Sequence, residues 1–324
     1  MQSIVVCGGA GYIGSHMVRA LLERGFDVTV LDNLSTGHVE AVGEAALVEA
    51  DLLDGAALDR VFAHRRVDAV MHFCALSLVG ESVREPVAYY RNNVAGTLSL
   101  LDAMQRHGVQ RLVFSSTAAI FGEPEQPLID ESHPARPINP YGRSKWMVEQ
   151  VLSDAASAYG LRSVSLRYFN AAGASPSGQI GESHDPETHL IPNVLKSVLA
   201  GGASLKVFGD DYPTPDGTCV RDYIHVDDLA EAHLAALTWM DHHDGAAAFN
   251  LGNGQGFSVL EVIEAARRVT GQPIAFDVEA RRAGDPARLV AASNRARREL
   301  GWQPCYRDIA TIIETAWRWH RGAR

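Results

Sequence analysis

The 324-residue chain has only four cysteines, Cys7, Cys74, Cys219 and Cys305, spread far apart with no CxxC pair. That scarcity excludes a disulfide-stapled scaffold and a thiolate zinc centre, and it points to reduced thiols and a cytoplasmic setting. Positive charge is also short, with 29 Lys and Arg against 39 Asp and Glu, a net charge of −10. Nucleic-acid and anionic-membrane binders present a basic face, so neither partner is expected. No apolar run reaches the ~18 residues of a membrane span. The chain enters an apolar run at Ser3, which leaves no room ahead of it for a charged segment and cleavage site. Internal repeats and low-complexity tracts are absent. What is there is ordinary globular material, 46% hydrophobic and 21% charged, enough to bury a substantial core in one large domain or two smaller ones.

Short β-branched runs alternate with longer amphipathic segments in the first half. Strands are predicted at 3–7, 27–31, 45–50, 68–73, 111–115 and 163–169, with helical spacing in "GSHMVRALLERG", "PVAYYRNNVAGTLSLLDAMQRHG" and "YGRSKWMVEQVLSDAASAYG". That rhythm predicts an α/β fold with a Rossmann-type, doubly wound parallel sheet. After Phe169 it breaks. The Gly, Ser and Pro of 170–187 predict a long loop. Beyond it come a short helix near 190–200, a strand "LKVFG", a helix starting near Asp227 as cap, and "AAFNLG", a strand able to return to the first sheet. The expected division is a dinucleotide domain over 1–172, with returning segments near 219–252, and a smaller α/β substrate lobe formed mainly by 173–324.

"VVCGGAGYIGSH" sets Gly8, Gly11 and Gly14 three residues apart, after a strand and at the start of a helix. Glycines there allow a tight turn, close approach of backbone N–H groups to a pyrophosphate, and close helix-to-strand packing. Asp32 ends the second strand eighteen residues past Gly14. A carboxylate at that point accepts from ribose hydroxyls and repels a 2′-phosphate, so the cofactor expected is NAD. Asp51, at the end of the third strand, is placed to contact the adenine. The plainer alternative is a glycine turn with a capping Asp.

"FSSTAAIFG" finishes a strand in the hydroxyls of Ser115, Ser116 and Thr117, at the end where doubly wound sheets hold ligands. Tyr141 and Lys145 follow at i, i+4 on a helix that Pro140 is suited to open, so phenol and ammonium share a face. Four-residue spacing alone is commonplace. Beside a dinucleotide fold it suggests a base, because a fixed cation favours phenolate over a phenol whose ordinary pKa is about 10.

Glycine motif, strand-end hydroxyl and YxxxK together resemble the extended short-chain dehydrogenase/reductase family, most of all its UDP-sugar 4-epimerases. The likeness runs nearly end to end through "LDNLS", "VGESV", "NNVAGT", "LRYFN", "DYPTPDGTCVRDYIHV", "FNLG" and "RRAGDPA". It implies an NAD site at Gly8, Gly11, Tyr12, Ile13, Gly14, Asp32, Asn33, Asp51, Leu52, Phe73, Ala75, Ser77, Asn93, Tyr141, Lys145 and Phe169, with Thr117, Tyr141 and Lys145 catalytic. Ser77 stands where some members carry Lys, and Thr117 where many carry Ser. For a UDP-sugar substrate it implies Thr117, Tyr141, Asn170, Leu190, Phe208, Arg221, Arg282, Asp285 and Leu289. Arg221 and Arg282 would meet the phosphates; surface pairing with a neighbouring Asp is the alternative. Leu289, where some members have a bulky aromatic, would leave room for a 2-acetamido group.

The reaction implied is C4 inversion of a UDP-hexose through a transient 4-keto sugar. Dehydratases and decarboxylases of the family carry Asp or Glu directly after the strand-end hydroxyl, where this chain has Ala118 and Ala119. A non-catalytic NAD-binding regulator is a further alternative. Relatives suggest a homodimer pairing helices near 88–107 and 141–159. The "DHHD" tract at 241–244 is expected to be a solvated helix end, and no metal is expected.

Overall fold

The computed structural model describes residues 2–282 and 285–322. Six strands precede residue 169: β1 (Ser3–Cys7), β2 (Asp27–Asp32), β3 (Ala46–Glu49), β4 (Ala69–His72), β5 (Arg111–Thr117) and β6 (Arg162–Tyr168). Seven more follow among the described residues: β7 (Asn170–Ala172), β8 (Leu205–Phe208), β9 (Val220–His225), β10 (Ala246–Leu251), β11 (Gly256–Ser258), β12 (Phe276–Glu279) and β13 (Arg288–Leu289). The large sheet has the order β10-β6-β5-β4-β1-β2-β3, with every neighbouring pair parallel.

Both faces of that sheet are covered, which is why its strands read as unbroken apolar runs. In β1, Ile4 and Val6 pack with Met17 and Leu21 of helix Tyr12–Glu23 and with Leu229 of helix Val226–Trp239. Val5 and Cys7 face the other way, onto Leu58, Leu100 and Leu152 from helices Gly55–Ala63, Thr97–Arg106 and Pro140–Tyr159. Each such fully buried aliphatic side chain contributes roughly 1.5–3 kcal/mol relative to exposure. Strand order reverses between β1 and β4, so the connections leaving their C-terminal ends diverge and open a crevice.

The smaller lobe is built on β9, which pairs with β7 and β13 in parallel and with β11 antiparallel. β8 and β12 form a separate parallel pair. Its core joins helices Leu190–Leu199, Val259–Thr270 and Ile309–Gly322. The chain leaves the large sheet after β6, returns to it as β10 beside β6, and departs again into β11. No described helix is long and apolar enough to cross a membrane.

Two local expectations change. Residues 86–108, expected as one helix, divide into Pro86–Tyr89, a π-helical stretch Tyr90–Gly96, and Thr97–Arg106. The wide turn sends Asn92 to the Cys74 carbonyl (3.1 Å) and Asn93 to both backbone groups of Leu76 (2.9 Å each), and such insertions cluster at functional sites. Helix Val226–Trp239 is capped by His225, whose Nδ1 accepts from the Asp227 N–H at 3.1 Å. Asp227 instead pairs with Arg19 at 3.1 Å.

Candidate active site

The glycine loop is shaped by two different demands. Gly8 has φ +81°, and a Cβ there would lie 2.6 Å from the Cys74 nitrogen; at Gly14 it would lie 2.0 Å from the Gly8 carbonyl oxygen. Packing of the chain against itself therefore requires glycine at both positions. A Cβ at Gly11 meets nothing nearer than the Gly8 oxygen at 3.5 Å. Helix Tyr12–Glu23 starts there with no side-chain cap, which leaves first-turn N–H groups for an anion. Gly11→Ala is accordingly expected to change the stability of nucleotide-free protein by less than about 1 kcal/mol while lowering bound nucleotide. Gly14→Ala should cost about 1–3 kcal/mol through the forced shift. Thermal unfolding and nucleotide content, measured on both variants, separate the two effects.

Asp32 is buried, and its carboxylate accepts from the N–H groups of Ala10 (2.9 Å) and Leu34 (2.8 Å). A carboxylate has about four lone-pair sites, so acceptor capacity remains for ribose hydroxyls. It borders a cleft also lined by Gly8, Gly11, Asn33, Asp51, Leu52, Phe73 and Ala75. Asn33 donates to Asp51 at 2.9 Å along this rim. Open backbone donors at one end and a carboxylate at the end of β2 fit a dinucleotide. Thr36, Cys74 and Asn92 line the same cleft; none was named as a cofactor residue from the sequence, although Asn92 opens the "NNVAGT" block.

Several expected cofactor residues have side chains engaged within the protein. The Tyr12 hydroxyl donates to the Gly173 carbonyl at 2.6 Å, tying the loop to the smaller lobe. Ile13 packs against the core beneath the loop, and Ser77 is exposed. Asn93 gives its amide hydrogens to the Leu76 carbonyl (2.9 Å) and Ser144 Oγ (3.0 Å), so it holds the cleft wall. Phe169 packs with Ala118, Phe121, Trp146 and Leu289, a cluster that joins the end of β5 to β13.

Helix Pro140–Tyr159 opens on Asn139, whose side chain accepts from the Gly142 N–H at 2.8 Å, with Pro140 in the first turn. A Cβ at Gly142 would lie 2.4 Å from the Ala119 carbonyl oxygen. Glycine thus lets the helix start press against the residues after β5. That approach brings the Tyr141 phenol near the Thr117 hydroxyl, which acts to lower its pKa.

Lys145 also reaches back to β5. Its Nζ donates to the Ser115 carbonyl at 2.6 Å and lies 4.7 Å from the centre of the Phe114 ring. Burial holds its pKa down to about 7, with Cys74 and Glu149 opposing. Burial likewise raises the Tyr141 phenol above its ordinary value; Thr117 opposes this, and Lys145 is not among the groups that move it.

One turn further, Glu149 accepts from Ser116 Oγ (2.5 Å) and from Arg167 through Nε (3.0 Å) and Nη2 (2.5 Å). Both charged partners are buried, and the Arg167 guanidinium lies 5.5 Å from the Phe121 ring centre and 5.9 Å from that of Trp146. Sequence pattern singled out neither, although Tyr141, Lys145 and Glu149 follow at four-residue steps.

On the smaller lobe, Arg221 bonds to Asp285 and to its neighbour's carbonyl at Val220 (2.8 Å). The guanidinium of Arg282 stacks 4.0 Å from the Phe208 ring centre. Leu289 lies beside Arg221 in the β13–β9 register. Asn170 begins β7, and Leu190 begins the helix that bounds the loop after it. Asp241, in the "DHHD" tract, is occupied by Arg111 at 2.6 Å, while His242 and His243 are exposed.

Residues 4–252 match the model of the NAD dependent epimerase/dehydratase family. The chain belongs to that family. A UDP-glucose 4-epimerase of Halalkalibacterium halodurans is 53% identical over 320 residues, 99% of this chain and 96% of that relative. A crystal structure of the UDP-glucose 4-epimerase from Brucella ovis in complex with NAD superposes with a TM-score of 0.95 at 48% identity, covering 98% of each chain. That of Bifidobacterium longum in complex with NAD+ and UDP gives 0.94 at 40% identity, covering 99% of this chain and 98% of that one. The Rossmann-type sheet and the open glycine loop are thus those of a family whose members use NAD.

Proposed function

We propose that the chain interconverts UDP-galactose and UDP-glucose by inverting C4 of the hexose, retaining NAD through the cycle. The observation that carries this reading is the buried Tyr141 phenol beside Thr117 at the end of β5, followed by Ala118 and Ala119 where a carboxylate would drive elimination. NAD, when bound, supplies a reversible hydride acceptor and a positive charge. The first-turn N–H groups past Gly11 would hold its pyrophosphate and Asp32 its adenosine ribose. Tyr141 takes the proton of the sugar 4-hydroxyl, with Thr117 beside both oxygens, as C4 gives up the hydride that bound NAD would accept, and a 4-keto sugar results. Once its other face is presented, the hydride returns to C4 and Tyr141 gives back the proton. Lys145, held at Ser115, steers the nicotinamide ribose. Phe208 offers an aromatic face to the uracil, while Arg282 and the Arg221–Asp285 pair border the diphosphate.

Purified protein should release NAD on denaturation and convert UDP-galactose to UDP-glucose without added cofactor. A product that has lost water, or no inversion at all, refutes the assignment. Leu289 leaves room beside the sugar, so UDP-N-acetylgalactosamine is expected to turn over as well. Leu289→Tyr should reduce that activity at least tenfold while sparing UDP-galactose; equal losses on both substrates contradict the role.

The unit proposed is a homodimer joined through the helices near 88–107 and 141–159. Val83, Val87, Leu98 and Met147 leave large apolar side chains exposed there. Val87→Glu with Met147→Glu should shift the mass measured by light scattering from twice the chain to once; an unchanged mass rules this face out.

A further inference from the structure

Between β7 and helix Leu190–Leu199 the chain folds Glu182, His184, Glu187 and His189 onto one point, their ligand atoms all within 4.8 Å of one another. We propose that this cluster binds a divalent transition-metal ion of the zinc kind, which fastens the loop to the start of the nucleotide-binding helix. Two imidazoles and two carboxylates suit such a borderline ion better than magnesium, which prefers an all-oxygen shell. With both histidines neutral, the carboxylates balance the ion's charge.

The spacing fits. Ligand atoms bound tetrahedrally at ~2.0–2.2 Å lie roughly 3.3–3.6 Å apart. His184 Nδ1 lies 3.2 Å from Glu182 Oε1 and 3.8 Å from Glu187 Oε1. His189 Nδ1 hydrogen-bonds the same Glu182 oxygen, a contact that the ion would replace. Outer bonds hold the donors in place, as metal sites require. Glu187 Oε1 accepts from the N–H groups of Thr188 (2.8 Å) and His189 (3.0 Å). Lys196 reaches Glu187 Oε2 (3.5 Å) and the His184 carbonyl (3.3 Å), and Trp319 donates to the Glu182 carbonyl (2.9 Å). Glu182 is only 3% exposed, whereas the His189 side chain is 45% exposed, which gives an ion a way in.

The cluster also touches the cofactor side. The His184 ring meets the Tyr12 ring edge-on at 6.4 Å, and Tyr12 immediately follows Gly11 and bonds to Gly173. His38, from the segment after β2, reaches the Ser183 carbonyl at 3.1 Å. Two protons on the histidines would also balance the carboxylates, so an ion-free latch is the competing account.

Protein stripped with chelator, incubated with zinc and gel-filtered should retain one zinc per chain by elemental mass spectrometry. Retention should fall to background in His184→Ala/His189→Ala and persist in His242→Ala/His243→Ala; magnesium should not be retained. Cobalt(II)-loaded wild-type protein should show visible d–d absorption without a thiolate charge-transfer band, a readout that does not depend on the variants folding. Failure of wild type to retain zinc, undiminished retention in the His184/His189 variant, or a thiolate band overturns the proposal.

Discussion

Replacing Tyr141 with Phe should lower kcat for UDP-galactose by about 10²–10⁴-fold, the usual worth of a positioned acid–base group, with bound NAD and overall stability little changed. The substitution removes one oxygen and keeps the ring in its buried place. That oxygen lies near the Thr117 hydroxyl and carries no standing charge, because burial raises the phenol above its ordinary value. Its loss should therefore fall on the chemical step and leave KM near its wild-type value. Thr117→Val should give a smaller decrease, since the phenol remains but loses the partner that favours its deprotonation. Progress curves and released-nucleotide content on the same preparations check both statements. A Tyr141→Phe enzyme retaining most of its rate would remove the phenol from the mechanism.

Glu149→Ala should cost about 3–5 kcal/mol, the typical penalty for stripping one partner from a buried ion pair. Arg167 would be left buried between Phe121 and Trp146 without an anion, and Ser116 would lose its acceptor. Replacing both residues with Leu should recover most of the loss, because what destabilises is the uncompensated charge and not the absence of a pair. Urea unfolding midpoints of the three proteins measure this. Equal midpoints for Glu149→Ala and wild type would show that the pair contributes nothing. Glu149 also supports the protonated form of Lys145, so the single variant should lose activity beyond what its stability explains.

The sheet was legible because each of its central strands is buried on both faces, which leaves an unbroken apolar signature in the chain. Gly8, Gly11, Gly14 and Asp32 were legible because backbone geometry and one carboxylate define that turn locally. Other features depend on contacts between distant residues. Helical spacing sets Lys145 four residues from Tyr141, but nothing in that spacing reveals the bond its ammonium makes to the carbonyl of Ser115 on β5. Arg221 and Asp285 are 64 positions apart and meet only once β13 lies along β9. Asp227 has the chemistry of a cap, but His225 comes first and takes that place. The E-x-H-x-x-E-x-H order of 182–189 was in view, but it lies in a Gly-, Ser- and Pro-rich stretch with no periodicity to show which side chains converge.

The return of β10 to the large sheet has a practical consequence for anyone dividing this chain. A fragment ending after β6 keeps Gly8, Gly11 and Gly14 and both residues of YxxxK, yet it exposes the flank of β6 that β10 normally covers. Unpaired N–H and C=O groups along an apolar strand recruit other chains. Such a piece should collect in inclusion bodies, whereas joining 246–251 back to it through a designed linker should restore solubility.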